Sequence, residues 1–199
     1  SIIEILKILD QQYFEYDYKN LTPLKFTDKI VLSNVSFRYN SLDKDIFKDI
    51  NITIRKGERI GIIGKTGCGK STLGDIMMGL LKPLNGNLII DGKQIYESNN
   101  PENLLRWRLA ISHVPQNIFL SDNSIAENIA FGLSPKEIDL ENVKKAAKTA
   151  QIADFIESSK YRYNTIIGEN GVKLSGGQRQ RIGIARALYH KSQVIVFDE

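Results

Sequence analysis

The sequence predicts an α/β fold built around a phosphate-binding loop, and three stretches carry that expectation. Residues 64–72, GKTGCGKST, meet the pattern G-x-x-x-x-G-K-[ST] through Gly64, Gly69, Lys70 and Ser71. An apolar run (Ile60, Gly61, Ile62, Ile63) precedes this loop and the helix-like TLGDIMMGLL follows it, the strand, loop, helix order that the pattern requires. VIVFDE reads as a buried parallel strand ending in two carboxylates, and LSGGQRQR as a glycine-rich turn that opens a helix.

Composition narrows the class. The chain has 199 residues, 42% of them hydrophobic and 25% charged, which suits one large domain or a core with a smaller lobe. The net charge of +4 is spread over 27 basic and 23 acidic residues without a long basic run, so no nucleic-acid partner is expected. The single cysteine, Cys68, rules out an internal disulfide and agrees with a reducing compartment such as the cytosol. No window approaches the roughly 18 uninterrupted apolar residues of a spanning helix. No internal repeat or low-complexity tract is present.

In chain order, SIIEILKILD has helical apolar spacing and the following residues turn polar and aromatic up to Pro23. Residues 1–27 read as the tail of a helix and a linker, or equally as an ordinary N-terminal helix. IVLSNVSFRY (residues 30–39) and INITIRKGERIGIIG (residues 50–64) are β-branched with partial alternation and predict strands of an antiparallel lobe. After the loop helix, KPLNGN gives a turn, NLIIDG a short strand, ENLLRWR a helix opened by Pro101, and AISHVP a strand. SIAENIAFG and ENVKKAAKTAQIADFIESS read as helices. The expected layout is a β lobe and phosphate-loop core over 28–116, a helical lobe over 117–173, and a return to the core over 174–199.

Each motif implies chemistry. Glycines let the backbone wrap an anion, so the N–H groups of Gly64, Thr66, Gly67, Cys68, Gly69 and the residues that follow point at phosphates. Lys70 supplies a point charge for the terminal phosphates, and the Ser71 hydroxyl suits Mg²⁺. Ligands of a parallel sheet sit beyond the strands' carboxyl ends, which suits Asp198 to hold Mg²⁺ and Glu199 to polarise water. The Ser175 hydroxyl and the N–H groups behind it make a second anion site or, more simply, an N-cap. Cys68, at a helix start, is either a thiolate whose alkylation blocks nucleotide binding or an unreactive filler.

GKTGCGKST, LSGGQRQR and VIVFDE, in that order, resemble the nucleotide-binding domain of ATP-binding cassette (ABC) transporters, with a RecA-like P-loop NTPase core, an antiparallel β lobe and an inserted helical subdomain. The resemblance covers nearly the whole chain. It implies ATP and Mg²⁺ as ligands and a head-to-tail dimer in which Ser175, Gly176, Gly177 and Gln178 face the ATP held by Lys70, Ser71 and Thr72 of the other domain. It implies that Tyr39 stacks on adenine beside Ile46. It also implies that Gln116 touches Mg²⁺ and the attacking water, and that Glu199 is the catalytic base.

FLSDNSIAENIAFG and IIGENGVKLSGGQRQR resemble exporter-type domains, where such segments meet cytoplasmic loops of a membrane domain. That implies a transmembrane partner, a place at the cytoplasmic face of the membrane, and a homodimer, since both halves of a site are present. A soluble cassette ATPase of DNA repair or translation, and a non-catalytic nucleotide sensor, are the alternative readings. The family's dimer-crossing loop and switch histidine do not follow Glu199 in these residues, and neither His113 nor His190 can be that histidine. The expectation is therefore a truncated chain with weak or absent hydrolysis of its own.

Overall fold

The computed structural model describes residues 20–40, 44–97 and 100–198. The predicted N-terminal helix, most of its linker, and Glu199 lie outside these residues. The partial alternation of the first strand has a physical cause. In β1 (Lys29–Phe37) the inward residues are Ile30, Leu32, Val35 and Phe37, a spacing that skips one place between Leu32 and Val35. A bulge absorbs the extra residue: pairing slips there against both neighbours, and Asn34 takes a φ of 51°. Gly86 faces the bulge with φ 82°, and a Cβ there would run into the carbonyl oxygens of Ser33 and Asn34.

β1 is flanked antiparallel by β2 (Phe47–Arg55) and β3 (Asn85–Ile90), and β4 (Lys93–Gln94) completes the order β2-β1-β3-β4. Helix α1 (Lys70–Met77) buries Leu73 and Ile76 against this sheet together with Trp107 of α2 (Glu102–Ala110). β5 (Ile111–Val114) and β6 (Val194–Phe197) form a separate parallel pair, in register from Ile111 opposite Val194 to Val114 opposite Phe197.

A second core is helical. Buried residues of α3 (Ile125–Ile129), α4 (Leu140–Thr149), α5 (Ala153–Ser158) and α6 (Gly176–Tyr189) meet in one cluster around Ile125, Ile129, Val143, Ile156 and Ile182. The single helical run expected over 141–159 is broken in two, because Gln151 adopts φ 56° and turns Ile152 into the core at 1% exposure.

Two expectations for strands are corrected. Residues 58–65 form no strand, and Ile63 is 96% exposed. The apolar run has strand-like composition, but no described strand lies beside it to accept its backbone groups, and an extended segment without a ladder partner does not make a sheet. For the same reason β6 is half-buried rather than buried: it pairs with β5 along one edge only. Along its length a cavity of about 430 Å³ is lined by Val194, Ile195, Val196 and Phe197 and by Ile60, Gly61 and Ile62.

Side chains tie the ends of these elements together. Gln193, just before β6, receives the Phe26 N–H at 2.8 Å and donates to the Leu24 carbonyl at 2.7 Å, which holds the approach to β1. Asp91, after β3, accepts from the Thr27 N–H (2.5 Å), the Thr27 hydroxyl (2.7 Å), and the Asp28 and Lys29 N–H groups (2.9 Å each). Partial desolvation works to raise the Asp91 pKa, but the hydrogen bonds from Thr27, Lys29 and Asp28 together outweigh it and hold the carboxyl at about 2. A folded-state pKa below the ordinary 3.8 contributes stability above that value, lost as pH falls toward about 2. Asp91→Asn is expected to cost about 1 kcal/mol once solvent screening is allowed for. In thermal melts its deficit against the unsubstituted chain should be full at neutral pH and shrink as the pH is lowered through that window.

Candidate functional site

The two ends of α1 are treated differently by the rest of the chain. At the N-terminus the cap is Gly69 (φ 93°, ψ 16°), without a side-chain cap and without an acidic residue in the first turn. The N–H of Leu73 bonds the Gly69 carbonyl at 2.9 Å, so the preceding N–H groups of the turn lie ahead of the helical ladder and are open to a ligand. At the C-terminus the carbonyls are taken. Trp107 Nε1 donates to Met77 (2.8 Å), Arg108 donates twice to Gly79 (3.0 and 2.6 Å), and the Tyr96 hydroxyl donates to Leu81 (2.6 Å). Burial pushes the Tyr96 phenol up to about 12, against a downward pull from Arg108, so it remains a donor at neutral pH. Among the described α-helices only α1 has neither a side-chain cap nor an acidic first-turn residue. Open N–H groups at the positive end of a helix dipole bind anions.

The loop before α1 is wound for that purpose. Gly67 and Gly69 both have positive φ, at 81° and 93°. A Cβ on Gly69 would meet Ile46 Cγ2 at 2.5 Å and the Phe47 ring at 3.3 Å, so the start of β2 forms a wall against the loop. Gly64, Thr66, Gly67 and Cys68 are exposed. Lys70 curls over the loop and donates from Nζ to the Gly64 carbonyl at 2.9 Å and the Lys65 carbonyl at 3.0 Å. A bound anion would offer that ammonium stronger, charged acceptors than two neutral carbonyls.

Lys70, Ser71 and Asp198 line the same cavity, with His113 beside them. Asp198 is aimed there by the sheet: its N–H bonds the Val114 carbonyl at 3.1 Å, one step past the last rung of the β5–β6 ladder. Tyr39 lies two residues beyond β1, 59% exposed, with its hydroxyl 3.1 Å from Thr72 Oγ1.

The remaining site residues gather elsewhere. Gln116 lines a second groove of about 560 Å³ with Asn117, Phe119, Gly176 and Arg179. No residue is shared between the linings of this groove and the phosphate-loop cavity. At the start of α6, Ser175 and Gln178 cap each other: the Gln178 N–H reaches Ser175 Oγ at 3.3 Å, and the Ser175 N–H reaches Gln178 Oε1 at 2.8 Å. Within one chain this turn is the N-cap that its sequence allows. Gly176 and Gly177 beside it are exposed.

Three polar residues that sequence reasoning passed over organise this groove. Arg186 donates to the Asn128 carbonyl at 2.9 Å and the Phe119 carbonyl at 3.0 Å, with its guanidinium 4.5 Å from the Phe131 ring centre. Asn128, fully buried, bonds Ser121 through both its amide oxygen and nitrogen. Arg179 donates to the Leu174 carbonyl at 2.7 Å and so fixes the turn before α6. The only sequence signal for this network was a polar residue on an otherwise apolar face, as with Asn128 in SIAENIAFG. His190, at the end of α6, is held below the ordinary imidazole range by burial and packs edge-on to Tyr189. It is a helix-end residue.

The sequence profile described as ABC transporter matches residues 47–199. The chain is 40% identical over 199 residues to leukotoxin translocation ATP-binding protein LktB of Mannheimia glucosida, and equally to that of Mannheimia haemolytica. The match covers all of this chain and 27% of those relatives, so the chain spans about a quarter of their length. A solved bacterial Atm1-family ABC exporter with ATP bound superposes with a TM-score of 0.82 at 33% identity, over 100% of this chain and 34% of the other.

Gly69→Ala places a Cβ in a left-handed conformation that costs roughly 1–2 kcal/mol and drives it into Ile46. Affinity for magnesium tripolyphosphate, measured by calorimetric titration, should fall at least about tenfold.

Proposed function

Because the chain belongs to the ABC transporter family, we propose that it is the nucleotide-binding domain of an exporter, which binds MgATP, dimerises around it and hydrolyses it to drive transport through a membrane domain. The observation that carries this reading is the meeting of Lys70, Ser71 and Asp198 in one cavity at the uncapped start of α1. The names of the relatives, a leukotoxin translocation ATP-binding protein and an ABC exporter, support transport as the coupled work.

The donor set suits Mg²⁺. One hydroxyl and one carboxylate are hard oxygen ligands, and this ion usually takes few protein ligands and completes its shell with water and phosphate oxygens. Ser71 and Asp198 would hold it, and Gln116 would join them by moving from the groove that it lines to the cavity. When bound, Mg²⁺ offsets negative charge on the phosphoryl oxygens. Lys70 leaves the carbonyls of Gly64 and Lys65 for the terminal phosphates, and the N–H groups of the loop and of the first turn of α1 hold the remainder. Glu199, next to Asp198, would take the proton of the attacking water.

Ser175, Gly176, Gly177 and Gln178 would serve a nucleotide held by a second domain.

 

The groove that Gly176 lines shares no residue with the phosphate-loop cavity, which supports a head-to-tail dimer in which each nucleotide is completed by the partner domain. The exposed Phe119 and Phe131, stacked edge to face at 6.2 Å between centroids, offer an apolar contact for cytoplasmic loops of the membrane domain. Among the described residues no helix is long and apolar enough to cross a membrane. We place the domain at the cytoplasmic face.

Three variants of the full-length protein test this function. Lys70→Ala should weaken ATP binding about tenfold or more in a fluorescent-nucleotide titration, the loss of a charge-assisted contact to phosphate. Glu199→Gln should keep ATP-dependent dimerisation, seen by light scattering, and abolish phosphate release; a variant that still hydrolyses ATP at the unsubstituted rate would refute the assigned base. Phe119→Asp should lower transport and substrate-stimulated ATP turnover while leaving nucleotide affinity unchanged. The 199-residue chain, with residues 58–65 unpaired ahead of the loop, is expected to turn over more slowly than on the order of one ATP per second.

A further inference from the structure

Tyr39 is fastened at two points. Phe37, the last residue of β1, is 6% exposed, and the Tyr39 ring meets it edge to face at 5.2 Å and 86°. At the far end of the same ring, the phenol hydroxyl shares a 3.1 Å hydrogen bond with Thr72 Oγ1. Thr72 is 7% exposed and stands in the first turn of α1, directly after Lys70 and Ser71. One side chain thus bridges the end of the β lobe and the anion-binding turn, 33 residues further along the chain.

A ring held by Phe37 and at its tip has lost most of its rotation about the Cα–Cβ bond, while 59% of the residue stays exposed. An aromatic that stacks on a planar ligand loses side-chain freedom on binding unless it is already fixed. Removing the hydroxyl alone would release the tip and leave the ring, its apolar area and the Phe37 contact in place.

We propose that the Tyr39 hydroxyl, through Thr72, is the positioning group that sets the ring over the phosphate loop and couples recognition of the base to recognition of the phosphates. The inference rests on the reading of the site as an ATP site, and it assigns the specific task to the oxygen rather than to the ring. Tyr39 and Thr72 act as one unit: loss of either hydroxyl frees the ring, and loss of the second adds nothing to that effect.

The test compares two probes on the full-length protein, MgATP and magnesium tripolyphosphate, which lacks base and sugar. Tyr39→Phe is expected to weaken ATP roughly 3- to 10-fold, the size of one neutral hydrogen bond, and to leave tripolyphosphate within about twofold of the unsubstituted protein. Thr72→Val should lower the ratio of ATP to tripolyphosphate affinity by the same factor, Thr72→Ser should restore it, and Tyr39→Phe with Thr72→Val should lower it no further than either alone. Equal losses for both probes would mean that the bond only supports the fold, and no change for ATP would mean that the ring positions itself; either result overturns the proposal. An unsubstituted protein that binds tripolyphosphate but shows no preference for ATP would overturn the ATP reading itself.

Discussion

Every α-helix ends in backbone groups that it cannot satisfy, and this chain's arrangement follows from how those of α1 are disposed. The carbonyl end is closed by Trp107, Arg108 and Tyr96, all from the segment that follows β4. The N–H end is closed by nothing of the sort: glycine stands at the cap and no acidic side chain stands in the first turn. A helix so treated is oriented, because its C-terminus is bolted to the fold, and it remains unsatisfied at the one end where an anion can approach. Helix α6 shows the opposite choice, with Ser175 and Gln178 closing its N-terminus between them.

Local chemistry was legible in the sequence and non-local pairing was not. The phosphate loop, the helix after it and the turn at Ser175 depend on residues within a few places of one another, so their pattern carried the prediction. The apolar run ahead of the loop had the composition of a strand, but a strand is made by its neighbours, and residues 58–65 have none among the described residues. The break at Gln151 was hidden for a different reason, since Ala-Gln-Ile has no helix-breaking residue and only burial of Ile152 explains the turn. The bulge at Asn34 lay behind the partial alternation of the first strand, which did not by itself reveal it, and Gly86 packs against it from a separate part of the chain.

The site residues divide along the same line. Lys70, Ser71 and Asp198 fall into one cavity because α1 and β6 both point their relevant ends at it. Gln116 was assigned by resemblance to the same chemistry, yet it lines the groove with Gly176 and Arg179. Glu199 lies outside the described residues. Arg186 and Asn128 went unnoticed because their partners are carbonyl and amide groups of distant segments, which leave no trace in residue type.

The two cavities are lined by residues that follow a single pair of strands. β5 and β6 are paired rung by rung, and beyond the last rung the chains diverge: Asp198 faces the phosphate-loop cavity, while residues after Val114 lead through Gln116 into the helical core. The helical core joins the sheet through residues 190–193 between α6 and β6, and through the segment between Val114 and Leu120. Arg186 joins that same segment, at the Phe119 carbonyl, to the middle of α6. That bond ties the segment carrying Gln116 to the helix that the Ser175 turn opens. Phe131 lies against the Arg186 guanidinium and Phe119 stacks on Phe131, so these exposed rings pack on the same link. The apolar patch thus meets, through Arg186, the segment that lines the second groove.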